Sequence, residues 1–177
     1  MNIIVTVNKS WGIGKDNNLL FNFSQSKNFL KEMTTDKIVI MGRNTFENIY
    51  NKKPFKRRIN ICLTNNKDYV NNNVTVINNF DELFEKLSFF ESDNIFVVGG
   101  EETYKSLLPY CKVAYVTKVD ENTTSDAFFE NLDKNKAWKL IKTSDPYYED
   151  STIFYTCKYV NNKVKKYNYG YIKKDLF

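Results

Sequence analysis

The sequence predicts an α/β fold, with a central and largely parallel β-sheet covered by helices on both faces. Through most of the chain, short runs rich in β-branched residues alternate with segments of helical periodicity. Each run has only about four to six apolar residues, which is typical of buried parallel strands. After residue 119 the helical segments stop and two long runs follow, a pattern typical of an antiparallel hairpin at a sheet edge.

These runs and periodic segments give an ordered set of elements. Strands are predicted at residues 3–7, 38–41, 59–63, 74–77, 95–98, 113–119, 138–143 and 152–159. Helices are predicted at residues 25–33, 45–49, 81–89 and 101–108. With no internal repeat and no Pro/Gly-rich linker, we expect one domain over residues 1–160. A basic, Tyr-rich extension follows over residues 161–177, and we interpret it as a solvated tail or an added edge strand.

Composition narrows the class of protein. A chain of 177 residues suits a single domain, and 42% hydrophobic with 16% aromatic residues indicates a globular protein. The net charge of +5 fits anionic small-molecule ligands but is too small and scattered to indicate nucleic-acid binding. The chain contains no run of about 18 apolar residues and no signal-peptide pattern.

Histidine is absent from the sequence, which removes the usual general base, the Ser–His–Asp triad and most zinc chemistry. The three cysteines, Cys62, Cys111 and Cys157, have no metal-like spacing, and two of them lie in apolar runs. We therefore expect a reduced, soluble, cytoplasmic protein without a metal site.

Three glycine-containing segments stand out as ligand-binding candidates. The first, WGIGKDNNLLF (residues 11–21), follows a buried strand and is either an ordinary loop or a close backbone approach to a ligand. In IVIMGRNT (38–45) and IFVVGGEETY (95–104), a buried strand ends in glycine and a helix begins. Helix starts suit phosphate, and ligands favour the carboxyl edge of a parallel sheet.

In this order and spacing, the segments resemble the dihydrofolate reductase family over nearly the whole chain, from Met1 to about Tyr159. The most specific pieces are WGIG with NNLLF, IMGRNTFENI, RRINICLT, VVGGEETY and TKVDENTTSDAFF. The resemblance implies a mostly parallel sheet with a C-terminal antiparallel hairpin, and reduction of 7,8-dihydrofolate by NADPH. It also implies a monomer. From the modest, scattered charge and the lack of a long apolar run, we expect the protein to bind neither nucleic acid nor membrane.

The resemblance assigns the cofactor site residue by residue. It comprises Thr6, Ile13, Gly14, Asn17, Gly42, Arg43, Asn44, Thr45, Leu63, Thr64, Asn65, Asn79, Val98, Gly99, Gly100, Glu101, Glu102, Thr103 and Tyr104. Asn65 is neutral at a place where the family often has an arginine near the 2′-phosphate of NADPH, so Lys67 is a candidate substitute.

The resemblance also implies a substrate site. Its residues are Thr6, Phe21, Ser26, Leu30, Ile49, Phe55, Arg58 and Thr117, of which Phe21, Ser26 and Thr117 occupy catalytic positions. The apolar members match positions that pack the pteridine and benzoyl rings, although plain core is the alternative interpretation. Arg58 matches the arginine that grips the glutamate α-carboxylate, and Arg57 beside it is interpreted as a surface neighbour.

The catalytic acid is missing from this pattern. The family places Asp or Glu in the first turn of the first helix, where it bonds the pterin and helps to protonate N5. Here Ser26 occupies that position, and its hydroxyl carries no charge. We expect neither Glu32 nor Asp16 to substitute for it.

Three hypotheses follow from this substitution. The protein is a dihydrofolate reductase that protonates N5 from water, a reductase of another pterin or of a flavin-pathway pyrimidine, or a nucleotide binder without chemistry. The complete cofactor half argues against the last, and Arg58 favours a folate. Because diaminopyrimidines such as trimethoprim bind the family as cations paired with the carboxylate, weak binding of trimethoprim is expected here.

Overall fold

The computed structural model describes residues 1–149 and 151–167. Its strands are β1 (Asn2–Val7), β2 (Gly12–Lys15), β3 (Asn18–Leu19), β4 (Ile38–Gly42), β5 (Ile59–Leu63), β6 (Thr75–Ile77), β7 (Ile95–Val97), β8 (Val113–Val119), β9 (Ala127–Phe128), β10 (Trp138–Thr143), β11 (Tyr147–Glu149) and β12 (Thr152–Asn161). Its helices are α1 (Ser24–Thr34), α2 (Phe80–Leu87) and α3 (Glu101–Leu107), with a π-helical turn at Thr45–Ile49 and 3₁₀ turns at Ser92–Asn94 and Leu108–Tyr110.

The main sheet runs in the order β10-β12-β8-β1-β7-β4-β5-β6, with β11 paired to β12. The strands from β8 to β6 are parallel, whereas β12 is antiparallel to both β8 and β10. This confirms the predicted mostly parallel sheet and its C-terminal antiparallel edge. Every predicted strand and helix is present, with ends displaced by no more than two residues.

Apolar side chains on both faces of the sheet explain why its central strands read as continuous hydrophobic runs. Along β4, Ile38 and Ile40 join the cluster that includes apolar residues of α2 and α3. The alternate residues Val39 and Met41 join the cluster on the other face, against which α1 packs. Each such buried side chain contributes about 1.5–3 kcal/mol of hydrophobic stabilisation.

A second, smaller sheet in the order β3-β2-β9 was not predicted. The segment interpreted as a possible ordinary loop is a β-hairpin, in which Asp16 and Asn17 have φ angles of 50° and 60°. Asx residues tolerate this left-handed conformation, so the Asp-Asn pair closes a tight turn between β2 and β3. The hairpin covers one side of the cleft described below.

The first part of the C-terminal extension packs back onto the domain. The backbone N–H of Lys165 donates to the carbonyl of Pro109 at 2.8 Å, and the Tyr167 ring stacks on Phe84 with centroids 4.7 Å apart. The remainder of the predicted extension, residues 168–177, lies outside the described residues. Among the helices that are described, none combines the length and the apolarity that crossing a membrane requires.

Candidate active site

A cleft of about 1280 Å³ opens at the carboxyl edge of the parallel strands. The ends of β4, β5 and β7 and the start of α3 form one half of its wall. Residues of α1 and of the segment that follows the π-helical turn form the other half. The β2–β3 hairpin contributes a third side of the cleft.

Glycines bring the ends of β4 and β7 into contact. The backbone N–H of Gly42 donates to the carbonyl of Gly99 at 2.8 Å. Gly99 has a φ of 122°, a conformation that L side chains rarely adopt, and the Gly99–Gly100 peptide is cis. A Cβ atom on Gly100 would lie only 2.8 Å from the Thr45 hydroxyl oxygen. The two helical starts that follow these strands therefore lie against each other at the cleft wall.

Arg43 follows β4 and was predicted to face phosphate. Its Nη1 donates to Glu47 Oε2 at 3.0 Å, one helical turn away, and its guanidinium lies 5.6 Å from the centroid of the Tyr69 ring. The cation therefore lines the cleft with one of its donors already engaged.

Tyr104, on α3, also lines the cleft, but its hydroxyl donates to the carbonyl of Ile4 at 2.7 Å. Burial raises the pKa of Tyr104 well above its usual range, so this hydroxyl stays protonated.

The loop that leads into the β2–β3 hairpin is fixed by Asn8. The Oδ1 atom of Asn8 accepts hydrogen bonds from the N–H groups of Ser10 and Gly12, at 2.9 and 2.8 Å. A Cβ atom on Gly12 would overlap the side chain of Ser125, so only glycine fits there. Beyond it, Asp126 Oδ2 accepts from the N–H of Asp16 at 2.8 Å. These contacts hold Ile13 and Gly14 against the cleft.

The edge of the cleft beyond β5 is formed by neutral side chains. Thr64 and Asn65 line it, as predicted, and Asn78 fixes this corner by donating to the carbonyl of Thr64 at 3.0 Å. Lys67, the candidate substitute for an arginine, is not among the described residues that line the cleft.

Ser26 lies in the first turn of α1 and lines the other half of the cleft. Its hydroxyl oxygen is buried and has no hydrogen-bond partner among the described residues. Thr117, expected to bond this position, is buried in β8 beside Thr6 and does not line the cleft. A buried hydroxyl without a partner costs free energy unless a ligand supplies one. Ser26 therefore places a hydroxyl group without a described hydrogen-bond partner in the wall of the cleft.

The charge on this half of the cleft has one sign. Among its described lining residues, α1 and the segment 49–58 contribute Lys27, Lys31 and Arg58 but no carboxylate. Glu32 is exposed on α1 and does not line the cleft, whereas Asp16 lines it from the β2–β3 turn. A substrate with a neutral ring and an anionic tail fits this distribution of charge.

A carboxylate does reach the first turn of α1, but from outside the cleft. Oε1 and Oε2 of Glu149, on β11, accept hydrogen bonds from the backbone N–H of Ser24 at 2.7 and 3.0 Å. The N–H of Ser24 lowers the pKa of Glu149 below its ordinary value, with smaller contributions from Gln25 and Lys27. The helix has no cap from its own N-cap residue, Phe23, and no acidic residue in its first turn. Glu149 supplies both the hydrogen-bond acceptor and the negative charge at the start of α1.

Arg58 is held rigidly at the cleft by the C-terminal end of α1. Its Nε donates to Thr34 Oγ1 at 3.0 Å, and its Nη2 donates to the carbonyl of Lys31 at 2.9 Å. Burial lowers the pKa of the Arg58 guanidinium. Arg57, in contrast, is exposed and pairs with Asp36 through its Nε at 3.1 Å, as expected of a surface neighbour.

Apolar side chains form the wall between Ser26 and Arg58. They are Phe21, Leu30, Ile49 and Phe55, and all four line the cleft. The Phe55 ring contacts Tyr50 edge-on with centroids 4.6 Å apart. Burial raises the pKa of Tyr50, which also lines the cleft, to about 12. A flat heterocycle would be enclosed by these side chains.

Apart from Lys67, the cleft brings together all the predicted site residues except two. Thr117 is one, and Asn79 is the other: its side chain caps α2 by accepting from the N–H of Glu82 at 2.8 Å. Several lining residues were missed: Lys15, Asn18, Asn22, Lys27, Lys31, Tyr50, Asn66, Phe80, Ser106, Asp126 and Ala127. Most of them are exposed polar residues or lie on the unpredicted small sheet, so no local pattern marked them.

Comparisons with known proteins agree with this geometry. A family model described as "Dihydrofolate reductase" matches residues 1–163. The dihydrofolate reductase of Bacillus subtilis is 32% identical over 131 residues, which cover 74% of this chain and 75% of that protein. The dihydrofolate reductase of Enterococcus faecium is 35% identical over 122 residues, which cover 68% of this chain and 72% of that protein. The solved structure of the Enterococcus faecalis dihydrofolate reductase with NADP(H) and RAB-propyl superimposes with a TM-score of 0.81 at 28% identity, over 91% of this chain and 95% of that one.

Proposed function

Because the chain belongs to the dihydrofolate reductase family, we propose that it reduces 7,8-dihydrofolate to 5,6,7,8-tetrahydrofolate at an active site that lacks the family's carboxylate. It is an NADPH-dependent oxidoreductase. The observation that carries the proposal is the buried, unpartnered hydroxyl of Ser26 in the wall of the cleft.

The residues present fit the cofactor. The glycine-ended strands leave the cleft open where side chains would close it, since a Cβ on Gly42 or Gly100 would meet a threonine hydroxyl at 2.8 Å. Residues 42–45 and 99–103 are proposed to bind its phosphates, and Thr6, Ile13 and Gly14 its nicotinamide end. When bound, NADPH supplies the hydride. The Tyr104 hydroxyl is committed to the carbonyl of Ile4 and takes no part in proton transfer.

The pterin ring is proposed to lie against Leu30 and Phe55, with Ser26 at its polar edge. The Ser26 hydroxyl can donate or accept a hydrogen bond there, but it neither balances a cationic ring nor releases a proton near neutral pH. N5 is therefore protonated from water. Losing a buried anion of this kind raises the barrier by about 3–4 kcal/mol, or two to three decades in rate.

Arg58 is proposed to bind the α-carboxylate of the glutamate tail. Its hydrogen bonds to Thr34 and Lys31 hold the guanidinium in place before the substrate arrives, so little side-chain entropy is lost on binding. Lys27 and Lys31 add positive charge on the same side of the cleft. This is the feature that favours a folate over a substrate without an anionic tail.

The second candidate function is reduction of another pterin or of a flavin-pathway pyrimidine by the same NADPH scaffold. The neutral Ser26 favours it, because an uncharged hydroxyl does not select for the cationic form of a pterin. The two candidate functions are separated by comparing the turnover of dihydrofolate with that of a dihydropterin and of an aminopyrimidine, both of which lack the glutamate tail. Faster turnover of either tail-less compound at matched concentration would make it the substrate class.

The test is an NADPH-oxidation assay with dihydrofolate between pH 5 and 8, on the wild type and on Ser26→Asp. In the wild type we expect the rate to fall about tenfold per pH unit, because only solvent supplies the proton. The Asp variant should be faster and should level off below the pKa of its new carboxyl group. Asn28→Asp is the matched control, since Asn28 is exposed on the same helix and does not line the cleft. A wild-type rate that levels off within this range would mean that another acid serves the site.

A further inference from the structure

We propose that Tyr167, in the C-terminal extension, is a positioning residue for the adenine end of the dinucleotide, acting through Phe84 on Phe80. This inference rests on the proposed function, because it takes the dinucleotide to be bound in the cleft. It concerns a part of the chain that lies beyond the family match, which ends at residue 163. It also gives a role to the Tyr-rich extension, for which the sequence suggested only a solvated tail or an edge strand.

The order of the strands fixes which end of the dinucleotide lies near Phe80. Hydride transfer requires the nicotinamide to lie beside the substrate ring, on the α1 side of the cleft where Ser26 lies. The phosphates fit the central glycine turns after β4 and β7. The adenosine half must then extend toward β5 and β6, which lie beyond β4 on the side away from β7. There the described wall consists of Leu63, Thr64, Asn65, Asn66 and Phe80.

Phe80 is suited to stack on a base. It is the first residue of α2, it lines the cleft, and its side chain is 44% exposed although it is a large apolar group. An aromatic ring exposed at the edge of a cleft gains free energy when a planar base covers it. Asn79 caps α2 immediately before Phe80 and thereby fixes the backbone at this point.

Three rings lie in sequence from the cleft to the extension. Phe80 stacks on Phe84, with centroids 6.1 Å apart and an interplanar angle of 27°. Phe84 stacks on Tyr167, with centroids 4.7 Å apart and an angle of 7°. Tyr110 closes the cluster against Phe84 at 4.7 Å. A shift of the Tyr167 ring would therefore be passed to Phe80 through one intervening side chain.

The extension is anchored so that Tyr167 keeps this position. Asn161 donates through its Nδ2 to the carbonyl of Cys111 at 3.0 Å, and its N–H donates to the carbonyl of Lys112 at 2.8 Å. Four residues on, the Lys165 N–H donates to the carbonyl of Pro109 at 2.8 Å. These bonds lead the chain from the end of β12 across the 3₁₀ turn to α2.

The experiment compares Tyr167→Ala with Tyr167→Phe, which keeps the ring. We expect Tyr167→Ala to raise the dissociation constant of NADPH about threefold to tenfold, in line with the loss of one ring contact. Tyr167→Phe should bind NADPH with the same dissociation constant as the wild type. The dissociation constant of 2′,5′-ADP, which carries only the adenosine half, should rise by the same factor. The KM of reduced nicotinamide mononucleotide, which lacks that half, should not change.

Two further variants make the result specific. Phe89→Ala is the matched control, because Phe89 is an 82% exposed aromatic residue just beyond α2. It should leave NADPH binding unchanged. Phe80→Ala should weaken NADPH binding, and adding Tyr167→Ala to it should have little further effect, because the tyrosine acts through Phe80.

The outcomes separate this inference from the proposed function. If the wild type binds NADPH and turns over dihydrofolate while Tyr167→Ala binds 2′,5′-ADP as tightly as wild type, the positioning role is wrong and the proposed function stands. Equal weakening toward reduced nicotinamide mononucleotide would indicate general destabilisation and would also overturn the inference. If the wild type binds neither NADPH nor 2′,5′-ADP, the proposed function fails first.

Discussion

The Glu149 carboxylate accepts a 2.7 Å hydrogen bond from the backbone N–H of Ser24, which lies 125 residues earlier in the sequence. The first turn of this helix has no acidic residue of its own, so a neighbouring strand supplies the negative charge at its start. There it complements the helix dipole but cannot contact a ligand in the cleft. In this protein the Glu149 carboxylate therefore serves the start of the helix alone.

Glu149→Gln should lower the melting temperature by about 1–3 °C at pH 7, because the helix start loses its charge complement while keeping an acceptor. The pKa of Glu149 is lowered in the folded state, chiefly by the Ser24 N–H, and Lys27 also faces the carboxylate. Its stabilisation is therefore fully present above the ordinary glutamate pKa of about 4.3 and is lost as the pH falls through the lowered value. Thermal melts from pH 7 to 3 should show the difference between variant and wild type shrinking only below about pH 4. A difference that is constant with pH would show that the charge has no role.

Trimethoprim should bind the wild type weakly, because the α1 half of the cleft contributes Lys27, Lys31 and Arg58 and no described carboxylate to meet a cationic diaminopyrimidine. Ser26→Asp should tighten binding by about two decades, the effect of restoring one buried ion pair. Calorimetric titration of both proteins measures this. Asn28→Asp adds the same charge outside the cleft and should leave the affinity within about twofold. Nanomolar affinity in the wild type would contradict the placement of Ser26.

The fold and much of the candidate site could be predicted because their signals are local. Apolar runs that end in glycine, at Gly42 and Gly99, marked the strands and the edge of the sheet where a ligand would lie. Ser26 could be located from the motifs on either side of it. These features depend on residues within a few positions of one another, and the structure displaces their boundaries by at most two residues.

The features that escaped prediction depend on pairings that the sequence does not encode locally. Glu149 caps a helix 125 residues away, and β3 and β9 have only two residues each. Phe80 reaches the cleft because of where α2 packs, not because of its neighbours in sequence. Asn79 is different: an Asn followed three residues later by a Glu is a capping signature, and it would have predicted the cap instead of a cofactor contact.

Gly100→Ala should destabilise the protein and weaken NADPH binding, because the added Cβ would lie 2.8 Å from Thr45 Oγ1 at the point where the two helical starts meet. We expect the free energy of unfolding to fall by about 1–3 kcal/mol, typical of overpacking. The dissociation constant of NADPH should rise about tenfold, since the cofactor site is proposed to include both residues. Denaturant unfolding and fluorescence titration measure the two effects.

The double variant Gly100→Ala, Thr45→Ala tests the cause of that loss. Removing the hydroxyl takes away the atom that the new methyl group meets, so stability should recover in part. Loss of stability that is unchanged in the double variant would show that contact with the Thr45 hydroxyl is not what excludes alanine at this position.

Arg58→Lys should raise the KM for dihydrofolate about tenfold to a hundredfold with little change in kcat, because a flexible ammonium would replace a planar guanidinium that is held in place at the cleft. It also loses the bonds from Nε to Thr34 and from Nη2 to the Lys31 carbonyl that hold the guanidinium in place. Steady-state kinetics with dihydrofolate and with a dihydropterin that lacks the glutamate tail measure the effect.

Arg57→Lys provides the matched control for this prediction. Arg57 is adjacent in sequence but exposed, pairs with Asp36, and does not line the cleft. Its replacement should leave both KM values unchanged. Because the tail-less substrate has no carboxylate for Arg58 to bind, its KM should be the same in Arg58→Lys as in wild type. An equal rise for both substrates would mean that Arg58 acts by supporting α1 and the ring-binding wall, and that the anionic tail is bound elsewhere.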